Sequence, residues 1–422
     1  MIKMSHAERM KTAICLYLNY LVHGMAIVIL AQNMIVLGKE WHVGDAGVAY
    51  VISSLGIGRL IVLYLGGEIS DRMGRRFMVK IGVVTYALFF VGILISKNMY
   101  EAYFFGILAG MANSFLDTGT YPALMELFPR KQASANILIK AFVSVGELIL
   151  PIFVASLEHF DLWYGWSFSV CAVLLAANFI FLWNREFPDM AAHKAKRAAK
   201  LAAKQAGQTP VEAAAANPAE PKQPLTGSQW ALGIVLTIFG YVSMSTFYLI
   251  SQWLTQYGKD VVNLDMTHAR LLVSIYSIGS ISGVLLTVIL VERVLKPAWF
   301  MLLDTTISFI TLLLMASTPV LPVMLVGSFV IGASAASGVM QMGMTIMGIA
   351  FPKAKGRITG IYNMAGALSS FTIPIVTGVL SKTSVHSIMC FDVFIAAIGI
   401  VCSLCVILIF KKSHVSVTEE VA

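Results

Sequence analysis

Apolar runs of membrane-spanning length recur along almost the whole 422-residue chain. A helix crosses a bilayer core with about 20 apolar residues, and a window of that size finds twelve segments. In the first half they run over 13–37, 46–69, 78–96, 101–127, 133–157 and 164–184. In the second they run over 229–255, 268–291, 298–318, 321–349, 358–381 and 385–410. Water cannot be the solvent of such a chain. Its residues are 58% hydrophobic and 12% charged, with a mean hydropathy of +0.80, where soluble domains carry about 45–50% apolar and about 25% charged residues. Too little polar surface remains to clothe a soluble core. The expected fold class is an all-α membrane protein of twelve transmembrane helices.

A formal net charge of +8 could suggest nucleic acid, but the placement of the cations points to a bilayer instead. Of the 30 lysines and arginines, 23 fall in loops and tails on the side that holds both termini. Five fall on the opposite side (Lys39, Lys97, Lys259, Arg270 and Lys382), and Arg59 and Lys140 lie inside helices. Positive loops stay in the cytoplasm, so both termini are expected there. Residues 1–11 are basic, yet the apolar stretch that follows is of full spanning length and has no cleavage site. It reads as a first helix. The five cysteines all sit in apolar runs and form no disulfide framework; Cys402 and Cys405 have C-x-x-C spacing but read as a helix packing pair inside an apolar run.

One interruption is long. Residues 185–228 are first Ala/Lys-rich and then Pro/Ala-rich, as expected of a cytoplasmic linker with a surface helix followed by a disordered stretch. It divides the chain into a six-helix bundle over 1–184, another over 229–410, and a cytoplasmic tail over 411–422. The halves are related in sequence. Ser54-Leu-Gly recurs at Ser277 as Ser-Ile-Gly, the stretch around Pro129 recurs around Pro352, and Leu150-Pro-Ile recurs at Ile373 as Ile-Pro-Ile, all at one offset of 223 residues. Duplicated halves with a site near the midplane are a recurrent transporter plan.

Between the second and third segments stands Gly67-Glu68-Ile69-Ser70-Asp71-Arg72-Met73-Gly74-Arg75-Arg76. Gly67 and Gly74 suit close approach and a tight turn, and Asp71 can accept from the arginines. The run resembles the G-x-L-A-D-R-x-G-R-R signature of the major facilitator superfamily. That resemblance implies its fold of two pseudo-symmetric six-helix bundles. It also implies that Gly67, Asp71, Arg72, Gly74, Arg75 and Arg76 form a gating motif that latches the halves on the cytoplasmic side and releases during alternating access. The equivalent loop of the second half, 294–297, lacks the signature.

A narrower resemblance lies in the fourth segment, where Leu116-Asp117-Thr118 and Pro122 look like the L-[ED]-T-x-x-x-P pattern of the fucose–proton symporter branch. Asp117 falls on that branch's intramembrane carboxylate. The longer run over 113–129, with LAQNM in the first segment, is similar to uncharacterised inner-membrane transporters of enteric bacteria. Two departures weigh against carrying sugar specificity over: the first segment has no carboxylate, and the fifth adds a lysine.

Ionisable groups inside a membrane are costly, face the interior and are functional candidates. Helical spacing puts Gly106, Gly110, Asn113, Asp117 and Tyr121 on one face, and Asn136, Lys140, Glu147 and Pro151 on another. Asp117 should lie in depth between Lys140 and Glu147, which would place a cation between two carboxylates. Either that cluster exchanges partners during transport, or a fixed Lys140 bridge sets helix packing. Arg59 cannot be neutralised at physiological pH; it is a counter-ion for a substrate carboxylate or a structural partner of Asp117 or Glu147. His23, one turn after Asn19, can relay protons or simply pack. Asp304 and Glu126 suit interfacial or loop contacts. In the second half Thr237, Tyr241, Tyr248 and Gln252 share one face, Ser334, Ser337, Gln341 and Thr345 another, and Asn363 and Ser370 stand at the offset positions of Lys140 and Glu147.

The expected activity is proton-coupled uptake of a small hydroxylated solute, an organic acid of the shikimate or quinate kind. Asp117, Glu147 and His23 are assigned to proton coupling. Arg59, Lys140, Asn113, Asn19, Tyr241, Tyr248, Gln252, Gln341 and Asn363 are assigned to substrate. Neutral sugar symport is the alternative that the fourth segment favours. Drug efflux by proton antiport is a further one, although Gly146–Pro151 lacks the Gly-Pro-rich pattern of such antiporters. No HExxH, Walker A or GxSxG motif is present, so no enzyme is expected. No cofactor or metal is expected either, and the chain should work as a monomer in the bacterial inner membrane.

Overall fold

The computed structural model describes residues 5–128, 132–187, 227–293, 296–336, 338–351 and 355–412; most of the expected linker, and the tail beyond Lys412, lie outside them. The regular structure of the described residues is helical. The first half holds α1 (His6–Gln32), α2 (Met34–Glu40), α3 (Asp45–Met73), α4 (Arg75–Ile95), α5 (Met99–Leu127), α6 (Gln132–His159) and α7 (Trp166–Trp183). The second holds α8 (Gly227–Asp260), α9 (Met266–Arg293), α10 (Pro297–Ser317), α11 (Leu321–Ala335), α12 (Val339–Ala350), α13 (Lys355–Ser381) and α14 (Val385–Lys412). Only helices and closed barrels satisfy every backbone group without water, and this chain takes the first solution.

Ten of these helices are long and apolar enough to cross a membrane. The other two crossings have physical reasons to differ. α5 is 29 residues long but carries polar Asn113, Ser114, Asp117, Thr118 and Thr120. The expected segment 321–349 is not one helix but two, α11 and α12, broken around 336–338. There Gly338 lies so close to Thr287 of α9 that a Cβ would overlap its side chain, and the Ala336 carbonyl accepts from Ser280 instead of continuing a ladder. At its start α1 is stopped by a capping box: Glu8 N–H donates to Ser5 Oγ (3.2 Å), and Ser5 N–H donates to the Glu8 carboxylate (2.8 Å). Outside the bilayer segments, Asp265 precedes α9, and hydrogen bonds from His268 hold its carboxyl below the usual carboxylate range.

Large apolar side chains stay exposed where lipid would cover them, among them Ile180 (73%) and Phe181 (63%) on α7 and Leu408 (62%) on α14. Exposed aromatics mark two belts, with Tyr100, Trp163 and Trp166 at one end of the bundle and Trp183, Trp230 and Trp299 at the end near the termini.

Helix crossings are set by glycines. At α3–α5, a Cβ on Gly58 would overlap the Ile107 carbonyl and one on Gly110 the Leu55 carbonyl. The related α9–α11 crossing repeats the device with Gly279 against Phe329 and Gly332 against Tyr276. Lipid chains are as apolar as leucine, so such close backbone approach, and the dispersion it permits, holds helices together.

The halves meet along α3–α13, α9–α6 and α1–α8. Exchanging the halves converts the first of these seams into the second, as the 223-residue offset requires. Gln32 of α1 donates to Thr255 Oγ1 of α8 at 2.9 Å, and those two residues are themselves one offset apart. Equivalent residues can touch each other only on the pseudo-twofold axis, so this bond marks it. Nearby, Gln252 donates to the Ile27 carbonyl (2.7 Å) and Ser274 to the Leu148 carbonyl (3.1 Å), while Arg270, buried on α9, pairs with Glu158 of α6. These contacts seal the halves at the end away from the termini.

Gly110→Leu and Gly332→Leu should each force a crossing apart. Overpacking alone costs about 1–3 kcal/mol, and here the clash is with backbone. The expected outcome is loss of the monodisperse peak in size-exclusion chromatography in detergent, with Gly110→Ala milder than Gly110→Leu.

Candidate functional site

Five helices of the first half bring polar groups to a buried cluster. Tyr20 and His23 share a face of α1, Arg59 comes from α3, Tyr86 from α4, Asp117 and Tyr121 from α5, and Lys140 and Glu147 from α6. Tyr20 donates to Asp117 Oδ1 at 2.7 Å. The Tyr20 ring also meets Tyr121 and His23 edge-on, at 6.1 and 5.8 Å between centroids. His23 Nδ1 lies 2.5 Å from the Tyr86 hydroxyl. Asp117 therefore sits in an aromatic and hydroxyl-bearing wall rather than in an ion pair.

The cations have no carboxylate partner either. Arg59 is buried and donates through Nη1 to Ser370 of α13 at 3.1 Å, across the interface between the halves, and its Nε has no acceptor. Lys140 places Nζ 4.6 Å from the centroid of Phe247, again across the interface. Among the described residues neither cation lies within 4.0 Å of a carboxylate, although Arg59 is within electrostatic reach of Asp117, and Lys140 of Glu147. A fixed Lys140 bridge to Asp117 or Glu147 is thus not formed. Glu147 is fully buried, with both carboxylate oxygens lacking hydrogen-bond partners.

Prolines remove intrahelical donors from three helices of the molecule. A helical proline lacks the N–H that would bond the carbonyl four residues earlier. Pro122, Pro151 and Pro374 lie within α5, α6 and α13, so they leave the carbonyls of Thr118, Glu147 and Ser370 without that partner. Pro151 and Pro374 are one offset apart, as are Glu147 and Ser370.

The other assigned residues are placed as follows. Asn113 is buried one turn before Asp117. Asn19 accepts from Asn178 of α7 at 2.7 Å, an engagement inside the first half. In the second half Tyr241 shares a 2.7 Å hydrogen bond with Thr372, Tyr248 is buried beside Phe247, Gln252 is tied to Ile27, and Asn363 is half-buried. The side chains of Asn136 and Gln341 lie outside the described residues, as do those of Asp71 and Arg72 and the surroundings of Gly67. In the rest of the loop motif, Gly74 has φ = 91°, a left-handed conformation that favours glycine. Arg75 approaches Glu126 of α5 (3.9 Å), and Arg76 donates to the Trp183 carbonyl at the end of α7.

Tyr20, Tyr86 and Phe247 escape the sequence reading, because a tyrosine or phenylalanine in an apolar run resembles any core residue. One signal was available: Tyr20 falls three residues before His23, on the same helix face. Asp392 and Tyr276, buried in the second half, escape for the same reason as any single polar residue without a motif.

A family model described as Major Facilitator Superfamily matches residues 13–269 and 259–420. The chain is 45% identical over 417 residues to inner membrane transport protein YdiM of Escherichia coli K12, covering 97% of this chain and 98% of that protein. It is 34% identical over 410 residues to inner membrane transport protein YdiN of the same organism, covering 97% and 92% respectively. Among solved structures, a D-xylose-proton symporter superposes with a TM-score of 0.73 at 16% identity, over 97% of this chain and 99% of that one.

Tyr20→Phe should leave one Asp117 oxygen without its donor, a loss of about 1–3 kcal/mol for a buried, hydrogen-bonded group. Unfolding in mixed micelles should register it. In the Asp117→Leu background the same substitution should cost much less, since the acceptor is gone.

Proposed function

The chain belongs to the Major Facilitator Superfamily, and from that premise we propose that it is a proton-coupled secondary transporter taking up a small hydroxylated organic acid by alternating access. It is a multi-pass membrane transport protein rather than an enzyme. The reading of its cargo rests on one observation: Arg59 and Lys140 lie at the interface of the halves with no ion-pair partner among the described residues. An unpaired buried cation is expensive, and a bound carboxylate would repay that cost. Arg59 supplies a forked donor and Lys140 a point charge. Tyr241, Tyr248, Asn113, Asn363 and Gln341 offer hydroxyl and amide contacts for a polyhydroxylated ring of the shikimate or quinate kind.

Asp117 is the proton carrier in this reading, with Tyr20 donating to its ionised form and Arg59 setting the field around it. His23 and Tyr86 form a hydrogen-bonded pair that can pass a proton along α1. Glu147 takes a second proton when its surroundings open. The motif of Gly67, Asp71, Arg72, Gly74, Arg75 and Arg76 latches the halves on the side of the termini, which we place in the cytoplasm of a bacterial inner membrane. The first-half site residues are close in kind to those of sugar carriers: Leu116-Asp117-Thr118 with Pro122 favours neutral sugar symport as the second reading, and the sugar–proton symporter that shares the fold transports xylose.

The test is uptake of a radiolabelled panel of hydroxy acids and sugars in transport-deficient cells. An organic acid should accumulate, and Arg59→Ala or Lys140→Ala should lower its uptake about ten- to hundredfold, the worth of a charged hydrogen bond. Asp117→Asn should abolish accumulation driven by a proton gradient while sparing exchange. Intact acid uptake in both Arg59→Ala and Lys140→Ala would overturn the anion assignment, and sugar uptake by the wild type would replace it.

A further inference from the structure

We infer that Glu147, Tyr276 and Asp392 form a second proton-binding site, lying between the seam of the two halves and the core of the second half. It rests on the proposed proton-coupled reading only in the role of Glu147; Asp392 and Tyr276 stand outside it. The three side chains come from α6, α9 and α14, and all are at least nine-tenths buried. Each is also incomplete. Among the described residues neither oxygen of Glu147 nor the Tyr276 hydroxyl has a hydrogen-bond partner, and the Asp392 carboxyl has only the Thr246 hydroxyl beside it, short of full hydrogen-bond geometry. The two carboxyls bear electrostatically on the same Tyr276 hydroxyl, one from each half of the molecule.

Glu147 lies on the seam itself. One turn before it, Ser144 shares a 3.0 Å hydrogen bond with Ser280 of α9, and one residue after it the Leu148 carbonyl accepts from Ser274. Asp392 sits about 10 Å along α14 from its first residue. Thr246 of α8 stands beside it, and it lines a small cavity of about 10 Å³ with Leu249, Trp253, Tyr257 and Met389. That is room for one water. Among the described side chains, the elements packed against α14 bring it no cation. Tyr241, Tyr248 and Tyr257 of α8 and Asp304 of α10 supply none, His386 near the start of α14 is hydrogen-bonded to Tyr257 (3.1 Å), and Lys259 at the end of α8 pairs with Asp260. Tyr362 of α13 donates to the Met340 carbonyl, and Lys411 at the far end of α14 lies over Trp299. Among the described residues no positive group reaches ion-pair distance of Asp392.

An isolated carboxylate in such surroundings is too costly to keep. A buried carboxyl with no cation at ion-pair distance is carried as the neutral acid; Lys140 lies within electrostatic reach of Glu147 without pairing with it, and among the described residues no such cation bears on Asp392. One proton binds per carboxyl. The proton on Glu147 exchanges with water when the α6–α9 seam opens, and the Tyr276 hydroxyl, within electrostatic reach of both carboxyls, links that exchange to Asp392. The device loads and unloads with the movement of the halves, independently of Asp117.

The test is infrared difference spectroscopy on the full chain reconstituted in liposomes, reading the carbonyl stretch of protonated carboxyl groups at neutral pH. In the wild type such a band should be present. It should lose intensity in Asp392→Asn, shift in Tyr276→Phe, and persist in Asp117→Asn, which separates this site from the coupling carboxyl. A wild-type spectrum unchanged by Asp392→Asn and Tyr276→Phe would overturn the inference, as would loss of the band on adding sodium at fixed pH, which would make it a cation site. If the whole band vanished in Asp117→Asn, the signal would belong to Asp117, and the second site would fall while the transport reading stood. Should Asp392→Asn fail to fold, the Tyr276→Phe shift and the sodium response still decide.

Discussion

In hydrocarbon no water is at hand to complete an unmet hydrogen bond, and this constraint shapes the rest of the molecule. It makes the regular structure helical, and it drives helices to approach through glycine, where backbone meets backbone at Gly58, Gly110, Gly279 and Gly332. It also confines most charges to loops, and the few ionisable groups inside, Arg59, Asp117, Lys140, Glu147, Asp304 and Asp392 among them, are exceptions that need a reason. Exposed leucine, isoleucine and phenylalanine on α7, α10 and α14 are then the normal outer surface, not a liability.

Against that background the incomplete groups stand out. Satisfied polar residues are abundant: Ser245 with Ser369, Trp253 with Thr377, Asn178 with Asn19. They hold helices together. Arg59, Lys140, Glu147 and Asp392 are different, because each is an ionisable group with no ion-pair partner among the described residues, and the first three lie at the interface of the halves. The prolines of α5, α6 and α13 each remove one intrahelical N–H donor as well. Fixed packing would favour satisfying these groups; a transient occupant needs them unmet.

Twelve crossings, the duplicated plan and the loop motif were legible in the sequence, because each depends on a repeated pattern: apolar length, a shared offset, or Gly74 in a turn that only glycine enters easily. Asp117 and Arg59 were legible as charges out of place. Their partners were not. Helix faces predict which residues can meet on one helix, but not that Lys140 would rest on Phe247, nor that Arg59 would reach Ser370 rather than Asp117, since those contacts depend on how separate helices rotate against each other. The break at 336–338 was hidden too, because its cause, Gly338 against Thr287, is tertiary. Asp392 carried no motif and gained meaning only from what surrounds it.

The seams between the halves have a mechanical consequence. Ser144 with Ser280, and Arg59 with Ser370, join them near mid-depth, whereas Arg270 with Glu158 joins them at the extremity of α6. Fourteen residues of helix separate Ser144 from Glu158, a lever arm of about 21 Å. If the halves pivot at mid-depth, each degree of rotation displaces the tip by about 0.4 Å while the fulcrum scarcely moves. A few degrees then break the Arg270 pair and leave the serine pair intact. The molecule can unlatch one face without coming apart, because its charged distal tie is also the one with the most leverage against it.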